Sequence, residues 1–153
     1  MALVRLIYAS RAVEAFTSAQ LVALTTRASR SNAAAGVTGT LIYTDGHFLQ
    51  LLEGNELAVR NLFARIHGDR RHTDVHKIGC QATTARLFGK WGMSCLHEDS
   101  IDNISHARLA LVFAQVAAAA TTQKLGREAH RLLKDLRAAI GEQTRLACVP
   151  LAA

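Results

Sequence analysis

Asp45-Gly46 lies between two apolar runs, 37–44 and 47–53, and constrains this chain more tightly than any other feature. Two-residue hairpin turns of type I′ need positive φ at both central residues, a conformation that Asp and Gly reach at least cost. The spacing therefore predicts an antiparallel β-hairpin. Residues 3–9, rich in Val, Ile and Tyr, read as a strand with Val4, Leu6 and Tyr8 on one face. Thr17 with Gln20 has the form of a capping box, after which Leu21, Leu24, Thr25, Ala28 and Asn32 recur at helical spacing until Gly36. Val59, Leu62, Phe63 and Ile66 follow the same template, with Asn55 as N-cap and Gly68 as stop. Residues 75–83 and 90–97 read as two further, weaker strands.

The order β-α-β-β-α-β-β predicts an α+β fold, a ferredoxin-like antiparallel sheet with both helices on one face. Beyond Asp102 the chain turns to Ala-rich helix formers, with segments expected over 106–121 and 124–140. In the second, Leu125, Leu132, Leu133, Leu136 and Ile140 make an apolar stripe opposite Arg127, Arg131, Lys134 and Arg137. These helices are expected to pack on the sheet's other face. The domain reading is one folded unit over 1–98 and a helical extension over 99–153.

A chain of 153 residues, half of them apolar, is long enough for one genuine core. The longest weakly polar run, 109–120, is too short to span a bilayer, and Arg5 interrupts the first apolar run, so neither a membrane span nor a secretory signal is expected. A cytoplasmic protein follows. Cys80, Cys95 and Cys148 have no CxxC spacing and read as buried, reduced thiols, with no metal site. The formal charge of +6 is spread evenly on both sides of residue 100, no block of like charges appears, and aromatics are 5%. Nucleic-acid binding is therefore disfavoured.

Three polar residues fall on faces that should be buried: Tyr8, Gln50 between Phe48 and Leu52, and Asn32 on the apolar stripe of the first helix. Each alone has an ordinary explanation, such as a core tyrosine with its hydroxyl at an edge or an asparagine capping its own helix. Together they direct a phenol and two carboxamides into the layer between sheet and helices. Amides present a donor and an acceptor side by side, which suits a planar ring of alternating carbonyls and nitrogens, walled by Leu24, Ala28, Phe48 and Ile66.

At these residues the chain resembles the BLUF domain, a flavin-binding sensor of blue light. The likeness is carried by Leu6-Ile7-Tyr8-Ala9-Ser10, by 31–39 (Ser31-Asn32 through Gly39), by 48–54 (Phe48 through Gly54), by Ile66 with Asp69-Arg70-Arg71-His72, and by Trp91-Gly92-Met93. The resemblance covers about residues 1–98. It implies a non-covalently bound FAD, with FMN or riboflavin as alternatives, lying between the two helices, and Gln50 bridging Tyr8 and the flavin edge. It also implies Asn32 on the pyrimidine ring and Arg65, Asp69 and Arg71 near the C2 carbonyl and the ribityl-phosphate chain. In such domains light drives electron and proton transfer from the tyrosine to the flavin, and recombination leaves the glutamine amide rearranged. Residues like Trp91 and Met93 change position or pairing with it. Ser31, where the family often has asparagine or histidine, departs from the pattern and implies a weakened or water-mediated contact.

The reading is thus a photoreceptor and no enzyme. The 55 residues after the sensor unit leave no room for a cyclase or phosphodiesterase, so output is expected through self-association or an unidentified downstream protein. Two alternatives from other classes are a light-independent binding module using the basic tail, and a phosphate-handling hydrolase using Arg5 or Arg71 with Asn32. The second lacks a glycine-rich loop ahead of a helix.

Overall fold

The computed structural model describes residues 2–89 and the backbone of 94–97, together with Val112, 114–116, 118–119, Arg127, Arg131 and Lys134. In chain order the elements are β1 (Leu3–Ala12), α1 (Ser18–Ala34), β2 (Thr38–Thr44), β3 (His47–Asn55), α2 (Glu56–His67), β4 (His72–Ala82) and β5 (Ser94–His97). They form one five-stranded sheet in the order β4-β1-β3-β2-β5. This is the expected α+β, ferredoxin-like arrangement.

Local chemistry accounts for the element ends. Asp45 and Gly46 have φ of 44° and 72°, so the predicted turn forms and β2 runs antiparallel to β3, with Thr44 opposite His47. The Thr17 side chain accepts from the Gln20 backbone N–H while the Gln20 side-chain oxygen accepts from the Thr17 N–H, closing the capping box of α1. Asn55 accepts from the Leu57 N–H at 3.0 Å and starts α2.

One expectation fails. β5 pairs with β2 in parallel, so the sheet is mixed, not wholly antiparallel. β4 and β5 lie at opposite edges of the sheet, so no tight hairpin turn joins β5 to a neighbouring strand and nothing local imposes antiparallel pairing on it. Phe88, on the segment that crosses between them, is 1% exposed and packs under the sheet.

The two faces carry separate cores. Val4, Leu6, Tyr8, Phe48 and Leu52 point toward α1 and α2, meeting Leu21, Val59 and Leu62. Ile7, Ile42, Leu49, Leu51 and Ile78 point the other way and are covered by Phe88, Val112, Val116 and Ala119. The described helical residues of 112–119 thus cover the second face as expected. A Cβ on Gly79 would come within 2.8 Å of the Ala119 Cβ, which shows how closely this cover approaches β4. Arg127, Arg131 and Lys134 are helical and exposed, as the polar face of the second tail segment predicts. The apolar stripe opposite them lies outside the described residues.

Strand alternation also places Glu53 on the second face, fully buried. Its carboxylate accepts from Arg5 Nε at 2.8 Å and from the Leu87 and Phe88 backbone N–H groups at 2.9 Å each. Arg5 continues to the Gln115 side-chain oxygen at 3.0 Å, and Arg86 donates to the Glu53 and Gly36 carbonyls. These contacts tie β1, β3, the crossing segment and the C-terminal helix together. Cys80 is a free thiol and only half-buried, because β4 is an edge strand. Among the described residues no helix is long and apolar enough to cross a membrane.

Candidate functional site

β1 and β3 pair antiparallel in a register that sets Tyr8 directly opposite Gln50. Because both side chains stand on the helix-covered face, the Tyr8 hydroxyl reaches the Gln50 side-chain oxygen and donates to it at 2.5 Å. Tyr8 is 4% exposed and Gln50 6%. Phe63 lies against the phenol with ring centroids 5.5 Å apart. Burial raises the Tyr8 pKa well above its ordinary value, and the Asp69 carboxylate pushes the same way.

That shift predicts a pH dependence. A folded chain that holds the phenolic proton more tightly than the unfolded chain, where tyrosine titrates at about 10, has this contribution intact below that pH and loses it as the pH rises further. Stability measured by urea unfolding should therefore fall between about pH 9 and 11, and Tyr8→Phe should fall less over the same interval. Equal losses in the two proteins would rule out a tightly held phenolic proton.

Tyr8 and Gln50 form the floor of a cleft of about 250 Å3 between α1 and α2. Leu24, Ala28, Ser31 and Asn32 line it from α1, and Leu62, Arg65 and Ile66 from α2. Phe48 joins the floor, and Asp69 and Arg71 close one end. Arg71 Nη2 donates to Asp69 Oδ2 at 2.6 Å, and this hydrogen bond, against a smaller opposing effect of burial, lowers the Asp69 pKa to about 2. The Ser31 hydroxyl turns back onto the Ala28 carbonyl of its own helix at 3.4 Å.

Asn32 differs from these. It is 3% exposed and its backbone carbonyl accepts from the Val37 N–H at 2.8 Å, but its carboxamide makes no hydrogen bond among the described residues. A buried amide left unpaired costs about 1–3 kcal/mol, so the position is unfavourable unless something else meets it. The cleft is the space it faces.

All the expected site residues within the described chain therefore line one cleft; Trp91 and Met93 lie outside the described residues. Five further residues also line it: Phe16, Arg27, Leu41, Leu62 and His72. Arg27 lies at helical spacing from Leu24, Ala28 and Ser31, and Leu62 at helical spacing from Ile66 and Asp69, so periodicity contained both. Leu41 is opposite Gln50 in the hairpin register that Asp45-Gly46 imposes. His72 accepts at Nδ1 from the Ser10 hydroxyl at 2.9 Å while Nε2 donates to the Ile66 carbonyl at 2.5 Å, which holds its ring edge-on to Tyr8 and Phe48. No local signal marked Phe16, which precedes α1. Arg5, engaged with Glu53 and Gln115 on the opposite face, is far from this cleft's chemistry, which removes one leg of the hydrolase alternative.

Comparison with known proteins agrees with this geometry. The family profile described as "BLUF: Sensors of blue-light using FAD" matches residues 3–94. The blue light- and temperature-regulated antirepressor BluF of Escherichia coli (strain K12) is 41% identical over 75 residues, 46% of this chain and 19% of that protein. Photoactivated adenylate cyclase subunit beta of Euglena gracilis is 36% identical over 100 residues, 65% of this chain and 12% of that protein. The chain therefore spans less than a fifth of the length of either relative. Among solved structures, the dark state of the BLUF protein BlrB superposes with a TM-score of 0.62 at 31% identity, over 74% of this chain and 96% of that one.

Proposed function

The chain belongs to the BLUF family of blue-light sensors that use FAD, and on that footing we propose that the α1–α2 cleft holds the flavin ring, with Gln50 as the switched group and Tyr8 as its redox partner. The cleft fits the group. Its walls are apolar, its floor carries a donor-acceptor amide, and the orphaned Asn32 carboxamide supplies the edge contact that a heterocycle of carbonyls and ring nitrogens would satisfy. A volume of about 250 Å3 suits the ring system alone, below the range of about 300–1,000 Å3 for whole drug-sized ligands. Asn32 and Gln50 would hold the ring's polar edge, Leu24, Ala28, Phe48 and Ile66 its faces, and Arg65, Asp69 and Arg71 the end toward the ribityl chain. Ser31, engaged with its own helix, would add little.

When bound, the flavin supplies a chromophore that absorbs blue light and becomes a strong one-electron oxidant. The protein's part is to present an oxidisable phenol whose proton has a ready acceptor. Tyr8 meets both needs, since its hydroxyl donates to Gln50 Oε1. An amide has opposite hydrogen-bonding sense at its two ends, so turning or tautomerising Gln50 exchanges the acceptor that faces Tyr8 for a donor and rewrites the local network. Two such arrangements in one buried site make a switch. The short Tyr8–Gln50 hydrogen bond on the cleft floor is the observation that carries this reading.

Residues 1–98 would form the sensing unit and 99–153 an extension that relays its state by protein contact. The described helical residues among 112–119 lie on the sheet face opposite the proposed flavin cleft, joined to β1 and β3 through Arg5, Gln115 and Glu53. An antirepressor among the relatives supports a downstream protein as the receiver, and light sensing in place of turnover as the role; a second copy of this chain is the other receiver that protein contact allows.

The test is the visible spectrum of the purified protein in darkness and directly after blue illumination. A flavin spectrum that moves slightly to the red and relaxes in darkness is the expected result, and Tyr8→Phe should bind flavin without that shift. Absence of flavin after reconstitution would overturn the reading, and a normal shift in Tyr8→Phe would remove Tyr8 from it.

A further inference from the structure

Arg86 stands half-buried on the segment between β4 and β5, and its guanidinium closes on the turn that follows α1. Nη2 donates to the Gly36 carbonyl at 2.7 Å, while Nη1 donates to the Thr38 hydroxyl oxygen at 2.9 Å and to the Glu53 carbonyl at 3.0 Å. Thr38 and Glu53 are opposite one another where β2 pairs with β3, so one planar group holds the turn and both strands of the hairpin. Arg86 is itself held in place, because the next two residues, Leu87 and Phe88, donate their backbone N–H groups to the Glu53 carboxylate at 2.9 Å each. The turn has little room to move. Gly36 has a φ of 69°, and a Cβ on Gly54, near the end of β3, would come within 3.1 Å of the Gly36 carbonyl oxygen.

The same turn carries the orphaned amide. The Asn32 backbone carbonyl accepts from the Val37 N–H at 2.8 Å and from the Ala35 N–H at 3.1 Å, so the last turn of α1 and the residues after it form one hydrogen-bonded unit. We propose that Arg86 is a positioning residue for the flavin ring: by holding Gly36 and Thr38 against the end of β3, it sets the angle at which the end of α1 aims the Asn32 carboxamide into the ring cleft. The inference rests on the ring-cleft reading above. Arg86 does not line that cleft, so it acts on the ring only through the turn. A hydrogen bond weakens steeply with misalignment, and an amide on a helix end that can rock loses its ring contact before it loses its burial. Arginine spreads its donors over a rigid fork that reaches three segments together, whereas lysine gathers all of its donors on one nitrogen.

The experiment titrates the flavin-free full chain with riboflavin, which has no phosphate for an arginine to attract, following flavin fluorescence in the unaltered protein, Arg86→Gln, Arg86→Lys, Asn32→Ala and the Arg86→Gln/Asn32→Ala double variant. Arg86→Gln should weaken binding by about threefold to tenfold, the scale of one hydrogen bond, and Arg86→Lys by less. The double variant should bind as Asn32→Ala does, because with the carboxamide gone Arg86 has nothing left to aim. Losses that multiply in the double variant, or an unchanged affinity in either Arg86→Gln or Asn32→Ala, would overturn this proposal alone. The Raman spectrum of riboflavin bound at saturation is a readout that a purely structural role does not move, and it decides the matter if Asn32→Ala binds too weakly to titrate. The ring carbonyl stretches should rise in Arg86→Gln as hydrogen bonding to them weakens; unchanged stretches would mean that Arg86 only stabilises the fold. If Arg86→Gln shows no cooperative urea transition, Arg86→Lys takes its place in the same comparison. Failure of the unaltered chain to bind riboflavin, FMN or FAD would overturn the ring-cleft reading and this proposal with it.

Discussion

Gln50→Leu is expected to take up flavin and to give no light-induced red shift, a complete loss of the response and not a slowed one. Leucine occupies nearly the same volume without donor or acceptor, and position 50 is already flanked on its strand by Leu49 and Leu51. The fold should tolerate it. The cost is the Tyr8 hydroxyl, left buried without Gln50 Oε1, about 1–3 kcal/mol, offset in part by the added apolar contact. The proposed switch would have no such compensation, since its two states would differ only in the hydrogen-bonding sense that the amide presents to the phenol and the ring. Difference spectroscopy after blue illumination decides the matter: a normal shift with normal dark recovery would sink the amide-switch account for this chain.

Glu53→Ala should be the most destabilising single truncation of a polar side chain. It removes a fully buried carboxylate that accepts from Arg5 Nε and from two backbone N–H groups. Breaking a buried, hydrogen-bonded ion pair by deleting one partner costs about 3–5 kcal/mol, against a total stability of about 5–15 kcal/mol for a domain. The urea midpoint should therefore drop sharply. Glu53→Gln, which keeps an acceptor and gives up the charge, should lose less. A drop below about 1 kcal/mol in Glu53→Ala would mean that the network contributes no more than a surface ion pair.

Glu53 also marks where reading from sequence alone ran short. Alternation along 47–53 places it on the same face as Leu49 and Leu51, yet its charge gives no hint of burial. Its partners at Leu87 and Phe88 lie 34 and 35 residues away, on a segment whose path depends on where β5 docks. The Tyr8–Gln50 pair was legible in part: both residues fall on the buried face by alternation, but their hydrogen bond depends on the β1–β3 register across 42 residues.

By itself the sequence determined whatever acts within a few residues: the Asp45-Gly46 turn, the Thr17-Gln20 and Asn55 caps, and the period-2 and period-3.6 patterns that sort each element into a buried and a wet side. These follow from dihedral preferences and hydrogen bonds that close inside one turn, so no distant partner is needed. The parallel docking of β5, the burial of Glu53 and the orphaned Asn32 amide arise only once the elements are packed together. Each depends on contacts between segments far apart in the chain, where side-chain pattern constrains which face is buried but not which residue of a distant element arrives opposite it.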